Sequence, residues 1–297
     1  MERQQRQQGL PLFPKENMKK VLLIEPQGET GAGLEQLFEP PHWEISYAED
    51  NEAALKQATE EAFDLMVTNA ATSGQEDVVL LRKLRNVKPH TRLIILTKNW
   101  TPGDVVNALR YHAFSYFTVP LAREDLRVLI DNVMREPAWD DGIELLQGTP
   151  EHAVLAVRCD LGTLDRLMQF ARAGLNFPDA EKEEVAFAFR EIVLNAMEHG
   201  GNFDPEKYVE VCYLRSKRQI TCRVKDPGEG FSLEEVLNAE KRRSLPDLQG
   251  TPEKEPELEG IGILLAEHYV DELIYNESGN EAFLIKWLDK PKPNEQW

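Results

Sequence analysis

Three groups of residues in the second half of the chain have types and spacings that could do chemistry. Glu191, Asn195 and His199 recur at i, i+4 and i+8, so a helix would carry all three on one face. The residues between them, Ile192, Val193, Leu194 and Ala196, are apolar, which implies a largely buried helix whose polar side chains need partners. Taken alone, polar residues at this spacing also describe a solvated face. Asp226-Pro227-Gly228-Glu229-Gly230-Phe231 directly follows an apolar run. It reads either as a plain turn or as a site where the Asp226 carboxylate accepts the exocyclic amine of a purine, with Gly228 and Gly230 letting backbone approach the base. Gly260-Ile261-Gly262 opens another helical stretch, where unpaired N–H groups and the helix dipole favour phosphate.

The elements that must position these groups are legible from periodicity. HAVLAVRC (152–159) reads as a strand and LGTLDRLMQFARAGLNF as an amphipathic helix with Leu164, Leu167, Met168, Phe170 and Ala171 inward. DAEKEEVAFAFREIVLNAMEHG is a long helix ending at His199-Gly200-Gly201, glycine being the usual stop signal. KYVEVCYLR and QITCRVKD form a hairpin around Ser-Lys-Arg; GIGILLAEHYV is a helix, and DELIYNES–GNEAFLIKWL a last hairpin. Helices grouped against a mixed or antiparallel sheet predict a two-layer α/β sandwich over 151–290. Residues 136–150 read as a linker with at most one short structured segment.

The three groups, in this order and spacing, resemble the ATP-binding domain shared by gyrase, histidine kinases and related ATPases, the Bergerat fold, over roughly 150–288. EIVLNAMEHG looks like its N-box, DPGEGF like the first glycine box and GIGI like the second. The anti-sigma-factor serine kinases of the RsbW type are the most similar subgroup, on the leading strand and helix, the NAMEHG ending and LLAEHYVDEL. The resemblance implies that Asn195 is the Mg²⁺ ligand, that Glu191 is the general base and that Asp226 reads adenine. It further implies that Gly228 and Gly230 shape the base pocket, and that Gly260 and Gly262 lie against the phosphates. His199 would contact the nucleotide region or cap the helix. Ser232–Glu259 would be a lid, and its Lys241-Arg242-Arg243 cluster either solvated surface or a phosphate or acidic-partner contact.

The first half alternates differently. KVLLIE, WEISYAE, FDLMVTN, RLIILT and FSYFTV are short, β-rich runs separated by amphipathic stretches such as EDVVLLRKLRNV and DVVNALRYH. Five strands alternating with helices predict a doubly wound parallel sheet over 19–135, after a loose tail at 1–18. Chemistry in such a fold sits at the carboxyl ends of the strands, here Glu25, Asn69, Thr97 and Val119-Pro120. Strand order, spacing and the FDLMVTN, RLIILT and YFTVP segments resemble the response-regulator receiver domain. That family places an acidic pair, a phosphoryl-accepting Asp and a Lys at these ends. Glu25 keeps one acid of the pair and Thr97 the hydroxyl. Asn69 stands at the acceptor position and Val119 at the Lys position, which blocks the aspartyl-phosphate route. The resemblance therefore implies a degenerate, non-phosphorylated receiver used for docking or dimerisation; a flavodoxin-like domain without signalling ancestry is the alternative.

Composition sets the surroundings. Of 297 residues 41% are hydrophobic and 29% charged, a globular balance with material for two cores. The net charge is −18, with 16 basic against 23 acidic residues up to position 150 and 18 against 29 after it, which disfavours nucleic acid and anionic membranes. No apolar run reaches a membrane span and the Gln-rich N-terminus lacks a signal sequence, so the expected compartment is the cytoplasm. Cys159, Cys212 and Cys222 lack zinc or disulfide spacing. The function the resemblance implies is a bacterial signalling regulator that binds Mg·ATP and phosphorylates a serine or threonine of an anti-anti-sigma-like protein. A sigma factor would be a further partner, and homodimerisation is open. The alternatives are an ATP-gated binding module without turnover, against which a retained Glu191 argues, and a sensor histidine kinase. For the last, His112 and His152 lie outside any two-helix hairpin.

Overall fold

The computed structural model describes residues 18–25, 34–119, 123–135, 141–174, 179–230 and 261–288. It divides into two compact units, one within Met1–Asn99 and Thr118–Asp140, the other within Trp100–Phe117 and Asp141–Trp297.

The first sheet is five-stranded: β1 (Lys19–Ile24), β2 (Trp43–Ala48), β3 (Leu65–Val67), β4 (Arg92–Thr97) and β5 (Ser115–Thr118), in the order β2-β1-β3-β4-β5. Its strands run parallel, β1 pairing with β2 on one side and β3 on the other. The continuous apolar runs predicted for central strands are buried along their whole length: Val21–Ile24 and Leu93–Leu96 are at most 2% exposed. Between the strands lie α1 (Asn51–Glu60), α2 (Gly74–Val87), α3 (Pro102–Arg110) and α4 (Arg123–Arg135), with a short 3₁₀ turn at Leu34–Leu37 before β2. Their starts are written in the sequence. Asp50 Oδ1 accepts from Ala53 N, while Ser73 with Glu76 and Thr101 with Asp104 form reciprocal capping boxes, the second followed by Pro102 at the first helical position.

The second sheet is antiparallel and six-stranded, in the order β10-β11-β9-β8-β7-β6. Its members are β6 (Ile143–Thr149), β7 (His152–Arg158), β8 (Tyr208–Arg215), β9 (Gln219–Lys225), β10 (Glu272–Tyr275) and β11 (Glu281–Trp287). The stretch expected as a linker thus contributes a seven-residue edge strand, β6, hairpinned onto β7; alternate exposed side chains hid it from a search for apolar runs. Strict alternation puts Leu155, Val157, Val211, Cys222, Val224 and Leu284 on the covered face. Helices α5 (Leu161–Gly174), α6 (Asp179–Asn195) and α7 (Ile261–Tyr269) complete the two-layer sandwich. Phe187 of α6 meets Tyr269 of α7 edge to face at 5.6 Å. Lys286, 5% exposed on the covered face, donates to the Tyr269 carbonyl at 2.9 Å and pairs with Glu181 at 3.5 Å, so a buried cation closes the carbonyl end of α7.

A second buried cation lies in α5. Arg166 of α5 donates to the Phe114 carbonyl at 2.7 Å and to Asp141 Oδ1 at 3.0 Å, and Asp141 Oδ2 takes His112 Nδ1 at 2.7 Å. Burial would push the Asp141 carboxyl up, but His112 and Arg166 hold it below the ordinary range. The cysteines are free; burial pushes the Cys159 thiol up to about 11 and Cys222 up to about 12, so both pack as small hydrophobes.

Candidate functional site

The end of α6 builds one wall of the site. Ile192, Val193, Ala196 and Met197 are buried, and the adjoining stripe carries Glu191, Asn195 and His199, with Ile192, Asn195, Ala196 and His199 lining one cavity. After Asn195 the helix widens into a single π turn, Ala196–Gly200, with Gly201 N donating to the Ala196 carbonyl at 3.0 Å. Such turns are rare and gather at functional sites. The predicted glycine stop lies where it was expected, but for another reason. Gly201 has φ −90°, and the left-handed residues are Asn202 (φ 54°) and Phe203 (φ 49°). Glycine is needed for closeness: a Cβ on Gly200 would strike the Asp226 carboxylate, and one on Gly201 would meet Cys159 Sγ.

Asp226 follows β9, its N–H donating to the Asn280 carbonyl at 3.0 Å. Gly228 N–H returns to Asp226 Oδ1 at 2.7 Å, fixing the carboxylate. A Cβ on Gly228 would lie 2.8 Å from Gly200 Cα, and Gly230, at φ 87°, sits against the Ser278 carbonyl. The turn is thereby wedged between the end of α6 and the β10–β11 hairpin. Burial pushes the Asp226 carboxyl above the usual carboxylate range, opposed by the Gly228 N–H.

These pieces enclose a cavity of ≈ 70 Å³ lined by, among others, Asn195, His199, Asp226, Gly230, Tyr275 and Asn280. Four of the sequence-predicted residues, Asn195, His199, Asp226 and Gly230, therefore meet in one place. The Asn195 amide, the His199 ring and Asp226 Oδ2 have no hydrogen-bond partner among the described residues. Gly228 does not line the cavity but orients Asp226. Glu191 sits one turn away from it along α6, where its carboxylate fills the space a Cβ on Gly262 would need; Arg190 approaches at 3.4 Å. Gly260 and the Ser232–Glu259 stretch with its Lys241-Arg242-Arg243 cluster lie outside the described residues. Among the described residues no group of three or more His, Cys, Asp or Glu could hold a metal ion. Sequence reasoning missed Tyr275, Asn276 and Asn280. Their only signal was a cluster of turn-forming residues, NESGN, which reads as a hairpin and nothing more.

The corresponding edge of the first sheet is arranged otherwise. Glu25 is buried directly after β1, its carboxyl pushed up by burial and by Glu35. Asn69 Oδ1 accepts from Ala71 N at 2.7 Å. The Thr97 hydroxyl donates to the Asn99 carbonyl at 2.9 Å and accepts from Asn99 N at 3.2 Å, while Val119 N donates to the Thr97 carbonyl at 3.0 Å. The one unforeseen group here is Asp77. At the start of α2 it resembles a solvated helix-start acid, yet it is fully buried and accepts from Asn51 at 2.9 Å, Thr72 at 2.8 Å and Thr68 at 3.0 Å. Burial pushes its carboxyl up to about 6.

With this geometry in hand, comparison with known proteins gives two matches along the chain, the first of which runs through Trp100–Phe117 of the second compact unit. Residues 21–131 match the response regulator receiver domain, and residues 158–286 match the histidine kinase-like ATPase domain. Among curated proteins, the chain is similar to the transcriptional activator protein IrlR of Burkholderia pseudomallei (25% identical over 116 residues, 39% of this chain and 50% of that protein). It is also similar to the alkaline phosphatase synthesis transcriptional regulatory protein PhoP of Bacillus subtilis (25% over 117 residues, 39% and 49%). A third relative is the transcriptional regulatory protein CpxR of Escherichia coli (26% over 124 residues, 42% and 53%). The chain spans about half the length of these relatives. Similar solved structures include a CheY-like receiver domain protein from Methanospirillum hungatei (21% identity, TM-score 0.36, covering 40% of this chain and 95% of that one). Another is a response regulator from Thermotoga maritima (18%, TM-score 0.36, 40% and 100%). The chain carries an N-terminal response regulator receiver domain and a C-terminal histidine kinase-like ATPase domain. No helix among the described residues is long and apolar enough to cross a membrane.

Proposed function

We propose that the second unit binds Mg·ATP and passes its γ-phosphoryl group to a serine or threonine hydroxyl of an anti-anti-sigma-like partner. A sigma factor would be the alternative partner, so that the chain acts as an anti-sigma-type switch in the cytoplasm. The observation that carries this reading is the convergence on one cavity of Asn195, His199 and Asp226, whose amide, ring and Oδ2 have no partner among the described residues, with Glu191 one helical turn away beneath Gly262.

In this reading Asp226 Oδ2 accepts the exocyclic amine of adenine, and the glycines that let the Asp226 turn touch α6 let the base lie against backbone. The donor set suits Mg²⁺. A single neutral amide oxygen, that of Asn195, fits a cation that arrives with phosphates and keeps most of its waters. Mg²⁺ would supply neutralisation of phosphate charge. Glu191 takes the proton from the incoming hydroxyl; that oxygen bonds to the γ-phosphorus as its bond to the β-phosphate oxygen breaks, and ADP leaves. Gly262, with no side chain of its own, leaves the Glu191 carboxylate its place at the start of α7. The receiver domain tunes the switch by docking and is not itself phosphorylated, since Asn69 and Val119 replace the acceptor and the Lys.

Calorimetric titration of Mg·ATP into the full chain, with Asn195→Ala and Glu191→Gln beside it, tests the site. Binding in the wild type, loss in Asn195→Ala and retained binding in Glu191→Gln are expected. Absence of binding in the wild type refutes the reading. Phosphotransfer from labelled ATP to candidate partner proteins then separates a kinase from a nucleotide-gated binding module.

A further inference from the structure

We propose that Asn280 is a positioning residue for Asp226, and that the Asn276–Asn280 pair sets a preference for adenine over guanine nucleotides. This rests on the nucleotide reading of the same cavity and adds the residues that make it selective.

The β10–β11 hairpin touches the Asp226 turn at three points. Asp226 N–H donates to the Asn280 carbonyl at 3.0 Å, Asn280 Nδ2 donates to the Gly228 carbonyl at 3.3 Å, and Gly230 packs against the Ser278 carbonyl. Behind Asn280 the network continues. Asn276 Nδ2 donates to Asn280 Oδ1 at 2.8 Å, and Glu281 N–H donates to Asn276 Oδ1 at 3.2 Å. A side-chain amide can ordinarily be turned either way round. Here both ends of the chain are backbone groups: a Glu281 N–H that can only donate and a Gly228 carbonyl that can only accept. With its ends fixed, the network has one polarity. Asn276 must present oxygen to Glu281 and nitrogen to Asn280, and Asn280 must present nitrogen to Gly228.

That polarity reaches the carboxylate. Gly228 is the residue whose N–H pins Asp226 Oδ1, and its own carbonyl is held by Asn280, so the turn cannot rotate without breaking the network. Asp226 lines the cavity that Asn280 also lines, with Oδ2 left as a fixed acceptor without a partner among the described residues. A fixed acceptor attracts the C6 amine of adenine and repels the C6 carbonyl of guanine. Guanine offers its donors at N1 and the 2-amine, which a carboxylate meets only by shifting round the ring. Freedom to shift is what the asparagine pair removes, and selectivity is the difference between the two affinities.

The test measures Kd for Mg·ATP and Mg·GTP, by calorimetry on the full chain, in wild type, Asn280→Ala, Asn280→Asp and Asn276→Ala. Melting temperatures without nucleotide are recorded alongside. Asn280→Ala is expected to weaken ATP about tenfold, the worth of one hydrogen bond in such a network, while GTP changes less than about threefold. Asn276→Ala should compress the ATP:GTP ratio in the same direction by about threefold, and it reads the proposal should Asn280→Ala fold poorly. Asn280→Asp, which sets a carboxylate oxygen against the Gly228 carbonyl, should compress the ratio more than Asn280→Ala. An ATP:GTP ratio equal to wild type in the variants overturns the proposal, even where both affinities fall together with the melting temperature. Wild-type protein that binds both nucleotides equally overturns it while leaving the nucleotide site standing. Wild-type protein that binds neither refutes the underlying reading and the proposal with it.

Discussion

The molecule gathers two sets of polar residues, one at the strand ends of the first sheet and one at the end of α6 and the turn after β9, and the two sets differ in what those residues touch. At the carboxyl ends of the first sheet Asn69 bonds to Ala71, Thr97 bonds to Asn99, and Asp77 takes three donors at once. In the second unit Asn195, His199 and Asp226 Oδ2 face a cavity with nothing among the described residues to bond. Polar groups satisfied by their neighbours make a stable edge; polar groups left open on a walled cavity need a ligand or water to complete them. The two sets therefore differ in how many of their side-chain bonds are made among the described residues.

The sharpest way to break this contrast is to remove the open groups. Asn195→Ala should weaken Mg·ATP by roughly 10–100-fold by calorimetry, the range for a bond to a charged group. Glu191→Gln should leave affinity within a few-fold and lower phosphotransfer by about 10²–10⁴, read with labelled ATP. Next in size is a steric change. Gly200→Ala forces a methyl into the Asp226 carboxylate, and we expect loss of nucleotide binding together with a lower melting temperature; Gly174→Ala, whose added Cβ would find only ordinary contact with Val105 at 3.7 Å, is the control and should melt near wild type.

A smaller effect is expected at the closed edge, and it depends on pH. The folded-state value of Asp77 is about 6 against an ordinary 3.8, so between these values the native state holds a proton that the unfolded chain does not. Stability from this group therefore rises as pH falls from about 6 to 3.8 and is lost as pH rises through 6, with a ceiling of about 3 kcal/mol. Asp77→Asn keeps the shape without the charge. It should melt above wild type at pH 8, and the gap should close as the pH is lowered to 4. A gap independent of pH would show that the carboxyl is not the titrating group. Smallest of all, Asn69→Asp should gain no stable phosphorylation from acetyl phosphate by intact mass, because Val119 still stands where the family has a Lys. A phosphorylated product would show that the first edge is less closed than its hydrogen bonds imply.

Much of the scaffold was legible from pattern alone. Continuous apolar runs announced buried parallel strands in Val21–Ile24 and Leu93–Leu96, while the strands of the second sheet, covered on one face, show alternating burial; burial on two faces or one leaves those two signatures. Helix starts at Ser73 and Thr101 were written locally, in a cap and its partner three residues on. β6 escaped because an edge strand with exposed alternate residues carries little apolar signal.

For the site, spacing along the chain was enough to place Glu191, Asn195 and His199 on one helical face, since a helix has a fixed period, and to mark Asp226 and its glycines as a turn after a strand. Three facts needed the tertiary structure. Gly200 is glycine because Asp226 arrives against it from a distant strand, and its backbone angle plays no part. Asp77 is buried because α2 lies over Thr68 and Asn51, which its own sequence neighbourhood does not reveal. Asn276 and Asn280 matter because the hairpin that carries them closes onto the Gly228 carbonyl about fifty residues away in the chain. Local sequence determines period, cap and turn through forces acting over a few residues; which polar groups finish paired and which face a cavity depends on contacts between segments that only folding brings together.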